Sequence, residues 1–213
     1  MGERVKKLKA EMVLEHIVDL KTQQLFGYKV LSRIIMDGEK GLRFQEIGDE
    51  SLKKRAESSV LKGVAKLSKD KELFINMPIS IHIESLPLYG RNFVICLPAD
   101  LNSDTLAKIL LSIKKLKLKS ALDDFYVARY GLGEEAEEIK LGAFDFVFVK
   151  EEFYMNSSRS DVAKAVSYAK SFGAKVIFKK IDTYKKVQLA IECGADYGHG
   201  YFFGYETYNI PLE

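Results

Sequence analysis

Two rhythms alternate along the chain. Short solid apolar runs such as Leu73-Phe74-Ile75, Phe93-Val94-Ile95-Cys96-Leu97, Phe144-Asp145-Phe146-Val147-Phe148-Val149 and Val176-Ile177-Phe178 have the length of strands buried on both faces. Between them lie stretches whose apolar positions return every three or four residues, the spacing of a helix with one buried face. Leu52, Ala56, Val60, Val64 and Leu67 follow Asp49, which can cap that helix. Leu106, Ile109, Leu110, Ile113 and Leu116 follow Asn102 and Ser103, either of which can cap the next. Val162, Ala165, Val166 and Ala169 lie within a helix predicted over 161–172 and stopped by Gly173, and a further helix over 184–193 stops at Gly194.

The chain opens differently. After a charged leader over 1–12, two apolar runs, 15–20 and 25–31, flank the polar turn Lys21-Thr22-Gln23-Gln24 and predict a hairpin. From Pro78 to Asn92 there is no amphipathic helix, only Pro78, Pro87, Gly90 and scattered Ile and Leu, so one crossover lacks its helix. A short acidic helix is expected over 134–141, and 195–204 closes the set. Six or seven strand and helix units after a hairpin favour a closed α/β barrel over an open sheet. The apolar run Ser120-Ala121-Leu122 ends in two adjacent carboxylates, Asp123 and Asp124, at the strand end where such barrels carry their sites.

Composition narrows the function classes. At 213 residues the chain suits one domain, here 1–213. With 47% hydrophobic and 30% charged residues, and no long uncharged apolar stretch, a membrane span is not expected and a cytoplasmic location is. Cys96 and Cys193 stand far apart with no CxxC pair, which fits buried free thiols. The net charge of +3 comes from mixed signs, so no nucleic-acid footprint is expected, and Lys114 to Lys119 reads as a solvated helix end.

Six blocks in order carry a resemblance. They are Gly27-Tyr28-Lys29-Val30-Leu31-Ser32-Arg33, Ile75-Asn76-Met77-Pro78, Ala121-Leu122-Asp123-Asp124-Phe125, the stretch from Asp145 to Phe153, the stretch from Val176 to Thr183, and His199-Gly200-Tyr201-Phe202-Phe203-Gly204. Over about residues 13 to 207 the chain resembles the EAL-domain cyclic-di-GMP phosphodiesterases. The resemblance implies a modified TIM (β/α) barrel whose first strand is antiparallel to the rest, with a metal-dependent site at the strand ends.

The departures bear on chemistry. Where the resemblance implies a metal-ligating Glu, this chain has Lys29, and a later acid falls on Cys96. The implied catalytic lysine falls on Phe148 and the Asp two residues later on Lys150. A Glu is replaced by Lys179 and a Gln by His199, while Arg33, Asn76, Asp123 and Asp124 keep the pattern. The stretch Tyr126-Val127-Ala128-Arg129-Tyr130 lacks the small pattern that the family uses after its paired acids. An ammonium cannot ligate a divalent cation, so no catalytic residue, metal or cofactor is expected.

The candidate ligand-binding residues are Lys29, Arg33, Asn76, Asp123, Asp124, Lys179, His199 and Tyr201. Each has a plainer reading: lysine–carboxylate pairs for the acids, a surface ion pair for Arg33, a strand-end hydrogen bond for His199, packing for Phe148. Tyr126, Tyr130, Tyr201, Phe202 and Phe203 are aromatic candidates for stacking on guanine or for rim packing. The leading expectation is a non-hydrolytic, EAL-like module acting through an unidentified protein partner, with a homodimer open. A metal-independent cyclic-di-GMP receptor comes second and residual hydrolysis third. A mouth filled by Phe148, Tyr126 and lysine–carboxylate pairs favours the protein partner; exposed cations favour the nucleotide.

Overall fold

The computed structural model describes residues 8–36, 41–43, 46–67, 70–125 and 142–212. The expected helix over 134–141, Tyr126 and Tyr130 lie outside them. Strands β1 (Leu8–Asp19) and β2 (Leu25–Met36) form a long antiparallel hairpin, and Gln23 in its turn adopts a positive φ of 61°. Parallel pairing then runs through β3 (Glu72–Asn76), β4 (Phe93–Pro98), β5 (Lys119–Phe125), β6 (Phe146–Val149), β7 (Lys175–Phe178) and β8 (Tyr197–His199). Residues Ile17 to Asp19 of β1 pair antiparallel with β8, which closes an eight-stranded barrel. Its first strand alone runs against the others, as the resemblance implies.

The apolar runs fill two layers. Inside the barrel, Ile17, Phe74, Val94, Ala121, Phe146, Phe148 and Ile177 pack together, with Phe74 edge-on to both Phe146 and Phe148. Outside, the alternate residues meet the helices α1 (Glu50–Leu67), α2 (Ser103–Lys115), α4 (Arg159–Ser171) and α5 (Tyr184–Glu192). Caps fall where short polar side chains precede the apolar periods. Asp49 accepts the N–H groups of Ser51 and Leu52, Asn102 that of Thr105, and Ser158 that of Asp161. Gly173 and Gly194, at φ of 87° and 81°, follow the ends of α4 and α5.

Several expectations change in detail. Leu8 to Met12, read as leader, belong to β1, because their alternation pairs them with β2 and with a ninth strand. That strand, β9 (Tyr205–Pro211), and the short helix α3 (Glu151–Asn156) have no expected counterpart. Strand β6 starts at Phe146 rather than Phe144, and α4 two residues before Asp161. Leu67, expected to face inward, is exposed as the last residue of α1, while Glu57 is buried. The crossover from β3 to β4 carries only a 3₁₀ turn, Ile83–Leu88, and Ile81 and Leu86 seal the barrel wall there while Ile79 and Leu88 face solvent. Both cysteines are buried free thiols.

Candidate functional site

The C-terminal ends of the parallel strands converge on one polar cluster. Lys29 points inward from β2 and is buried, because its cross-strand partner is Glu15 and the alternation of the hairpin turns both toward the barrel axis. Its Nζ donates to Asn76 Oδ1 at 2.9 Å and to Asp123 Oδ2 at 3.3 Å. Lys179, the residue after β7, donates to Asp123 Oδ1 and Asp124 Oδ1, both at 2.7 Å. Two cations and two carboxylates thus neutralise one another. Phe148 lies fully buried beneath them, with Lys29 Nζ 5.2 Å and Lys179 Nζ 6.0 Å from its ring centre.

The backbone is shaped to bring these groups together. Asp124 and Lys180 both take left-handed conformations, at φ of 57° and 56°, where a residue with a side chain is strained. The strand end at Lys179 is held from outside by Tyr154 of α3, whose hydroxyl donates to the Lys179 carbonyl at 2.6 Å while its ring stacks on Phe178. Burial, with the acids Glu151, Asp182 and Glu152 nearby, pushes the Tyr154 phenol well up, so it stays a donor. On α3 and α5, Glu151 pairs with Lys186 at 2.5 Å, tying the two helices behind the same strand end.

Electrostatics keep the cluster ionised. Burial opposes the charge on Asp123, but Lys29 and Lys179 outweigh it and hold the carboxyl below the usual range. Burial likewise opposes the charge on both ammoniums. For Lys29, Cys96 and Asp123 outweigh it, and for Lys179 the two aspartates do, so both pKa values are raised. Burial also pushes the Cys96 thiol up, so at neutral pH the negative partner of Lys29 is Asp123.

Glu15 is a member of this ring that the sequence reading missed. Its Oε2 lies 2.6 Å from Nε2 of His199, off line for a hydrogen bond, and Nδ1 of the buried imidazole also has none. His199 is thus not the hydrogen-bonded strand-end residue expected; it rests edge-on against Phe148 and beside an acid. Tyr201 stands apart on the 3₁₀ turn Tyr201–Phe203, exposed and edge-on to Tyr205. Arg33 lies on β2, exposed above the mouth. It lines a cleft of about 420 Å³ shared with Asn76, Arg43 and Glu57.

The donor set does not fit a pair of hard divalent cations. Such a pair needs several free carboxylate or carbonyl oxygens. Here Asn76 Oδ1, both oxygens of Asp123 and Oδ1 of Asp124 each already accept from an ammonium. Among the described residues, no group of three or more His, Cys, Asp or Glu side chains is arranged to hold a metal ion.

No family model matches the chain, and no curated protein does. Solved structures do. An EAL-domain protein of Listeria monocytogenes EGD-e superposes with a TM-score of 0.69 at 21% identity, covering 95% of this chain and 89% of that one. The phosphodiesterase PaMucR, solved as a cyclic-di-GMP complex, gives 0.70 at 12% identity over 95% and 92%. BlrP1 of Klebsiella pneumoniae, solved with manganese and cyclic-di-GMP, gives 0.70 at 19% identity over 95% and 59%. The chain has the fold of the EAL-domain proteins.

Proposed function

We propose that this protein is a non-hydrolytic, EAL-like module of cyclic-di-GMP signalling that acts through contacts with a protein partner. The observation that carries this reading is the lysine pair at the mouth: Lys29 and Lys179 engage the Asp123, Asp124 and Asn76 oxygens through which a metal would act. PaMucR and BlrP1 are solved with cyclic-di-GMP, the latter with manganese as well, and their fold supports the signalling context. Incubating the protein with cyclic-di-GMP and magnesium or manganese, and separating the products by chromatography, tests it. The expected result is intact dinucleotide. Linear product formed by the wild type and lost in Asp123→Asn would overturn it.

A second reading is metal-independent binding of cyclic-di-GMP. It is favoured by one observation, the open cleft beside the filled mouth, where Arg33 is exposed next to Asn76. A guanidinium presents paired donors that match a phosphate without help from a metal.

A further inference from the structure

An isolated antiparallel bridge links Ile34 of β2 to Leu42, with hydrogen bonds of 2.8 Å in both directions. Ile34 is buried against α1, so the residues flanking the bridge turn to the opposite face, toward the mouth. Those neighbours are Arg33 and Arg43. Both are exposed, and both line the cleft of about 420 Å³. Gly41 belongs to the same face, where a Cβ would sit 3.3 Å from Arg33 Cβ and 3.5 Å from its Cδ, so the glycine leaves room for the arginine stem.

Like charges side by side on adjacent strands repel. Among the described residues neither guanidinium has a carboxylate within ion-pair distance, although Glu11 stands across from Arg33 on β1. Among the described residues the one acid lining the cleft is already engaged: the two oxygens of Glu57 accept the N–H groups of Ile79 and Ser80, each at 2.7 Å. Asn76 spends its carbonyl oxygen on Lys29, and its amide N–H groups remain as donors on the cleft wall. The cleft therefore presents two forked cations and an amide donor.

We propose that Arg33 and Arg43 together hold one phosphate group of a nucleotide in this cleft without a metal ion, Arg43 being a residue outside every motif block. The identity of the nucleotide as cyclic-di-GMP rests on the second reading above; the two-arginine site does not. Calorimetric titration in EDTA tests both, using cyclic-di-GMP and pyrophosphate as separate ligands against the wild type, Arg33→Gln, Arg43→Gln and the remote control Lys114→Gln.

The wild type is expected to bind cyclic-di-GMP saturably, with pyrophosphate competing. Each arginine variant should weaken binding by at least about tenfold, the loss of charge-assisted hydrogen bonds, and Lys114→Gln should not. Without ligand, Arg43→Gln should melt no lower than the wild type, since it relieves repulsion, which separates a binding defect from a folding defect. If pyrophosphate alone binds and needs both arginines, the site stands and the cyclic-di-GMP reading falls. If cyclic-di-GMP binds both arginine variants as well as the wild type, the receptor reading stands and this site is overturned. Binding of neither ligand overturns the site as well.

Discussion

At the scale of single residues, Asp123 is the keystone of the mouth, since it is the carboxylate that both lysines share. Asp123→Asn removes one negative charge between two ammoniums and leaves Lys29 buried without its counter-ion. Breaking a fully buried pair costs about 3–5 kcal/mol. Asp123 retains some solvent contact, so the loss should be roughly 2–3 kcal/mol at pH 7, read from the urea midpoint. The pH dependence has a definite sign. Because the folded pKa of Asp123 is depressed, its contribution is present above the ordinary carboxylate value near 3.9 and is lost as pH falls through the folded value. The gap in stability between wild type and Asp123→Asn should therefore narrow below about pH 4. The raised values of Lys29 and Lys179 act at the other end: their contribution is complete below about 10.5 and fades as pH rises beyond it. A stability gap that widened on acidification would contradict the pairing.

Some of these residues were legible in the sequence and some were not. Lys29, Asp123, Asp124 and Lys179 stand at strand ends inside recognisable blocks, and the structure brings all four together. Glu15 was hidden because one acid in an apolar strand looks like a solvent-facing position. It faces inward only because the hairpin register sets it opposite Lys29. Arg43 was hidden for a related reason: its neighbour Arg33 is ten positions away, joined to it by a single bridge that no local pattern encodes.

Among the elements, the segment at the end of β7 positions Lys179, and α3 is its brace. Tyr154→Phe keeps the stack on Phe178 and leaves the Lys179 carbonyl without its hydroxyl donor, a loss of about 1–2 kcal/mol in a chemical denaturation series. An unchanged midpoint would show that the brace is packing alone. The end of β8 has less tolerance. Gly200 sits at φ of 144°, and a Cβ there would lie 2.5 Å from both the N and the O of Ile181, backbone atoms that cannot yield without moving the segment that follows β7. Gly200→Ala should destabilise by at least about 2 kcal/mol and broaden the amide spectrum around His199, whose carbonyl accepts the Ile181 N–H.

Element recognition from sequence followed the strength of the period. The helix α4, with Val162, Ala165, Val166 and Ala169 all buried, was found with its inward face correct. The strand β9 was not, because its residues alternate between half-buried and exposed and none is fully buried, the pattern of an edge strand with little apolar content. The six-residue α3 is too short for a helical period to register. Charged positions in Leu8 to Met12 likewise disguised the start of β1, although its alternate residues Ala10 and Met12 are fully buried.

For the molecule as a whole, a barrel with the fold of the EAL-domain proteins carries a mouth whose charges cancel internally. Phe148 fills the axis below the lysines, and the lysine–carboxylate pairs lie above it. The proposed binding lies at the periphery, where the Arg33 and Arg43 cleft opens and where Tyr184, Tyr201, Phe202 and Tyr205 stand exposed. The most direct measurement of this account is a manganese titration followed by electron paramagnetic resonance, run on the wild type and on Asp123→Asn. The account predicts that both leave the metal free in solution alike. Two manganese ions taken up per wild-type chain, and released by Asp123→Asn, would contradict it.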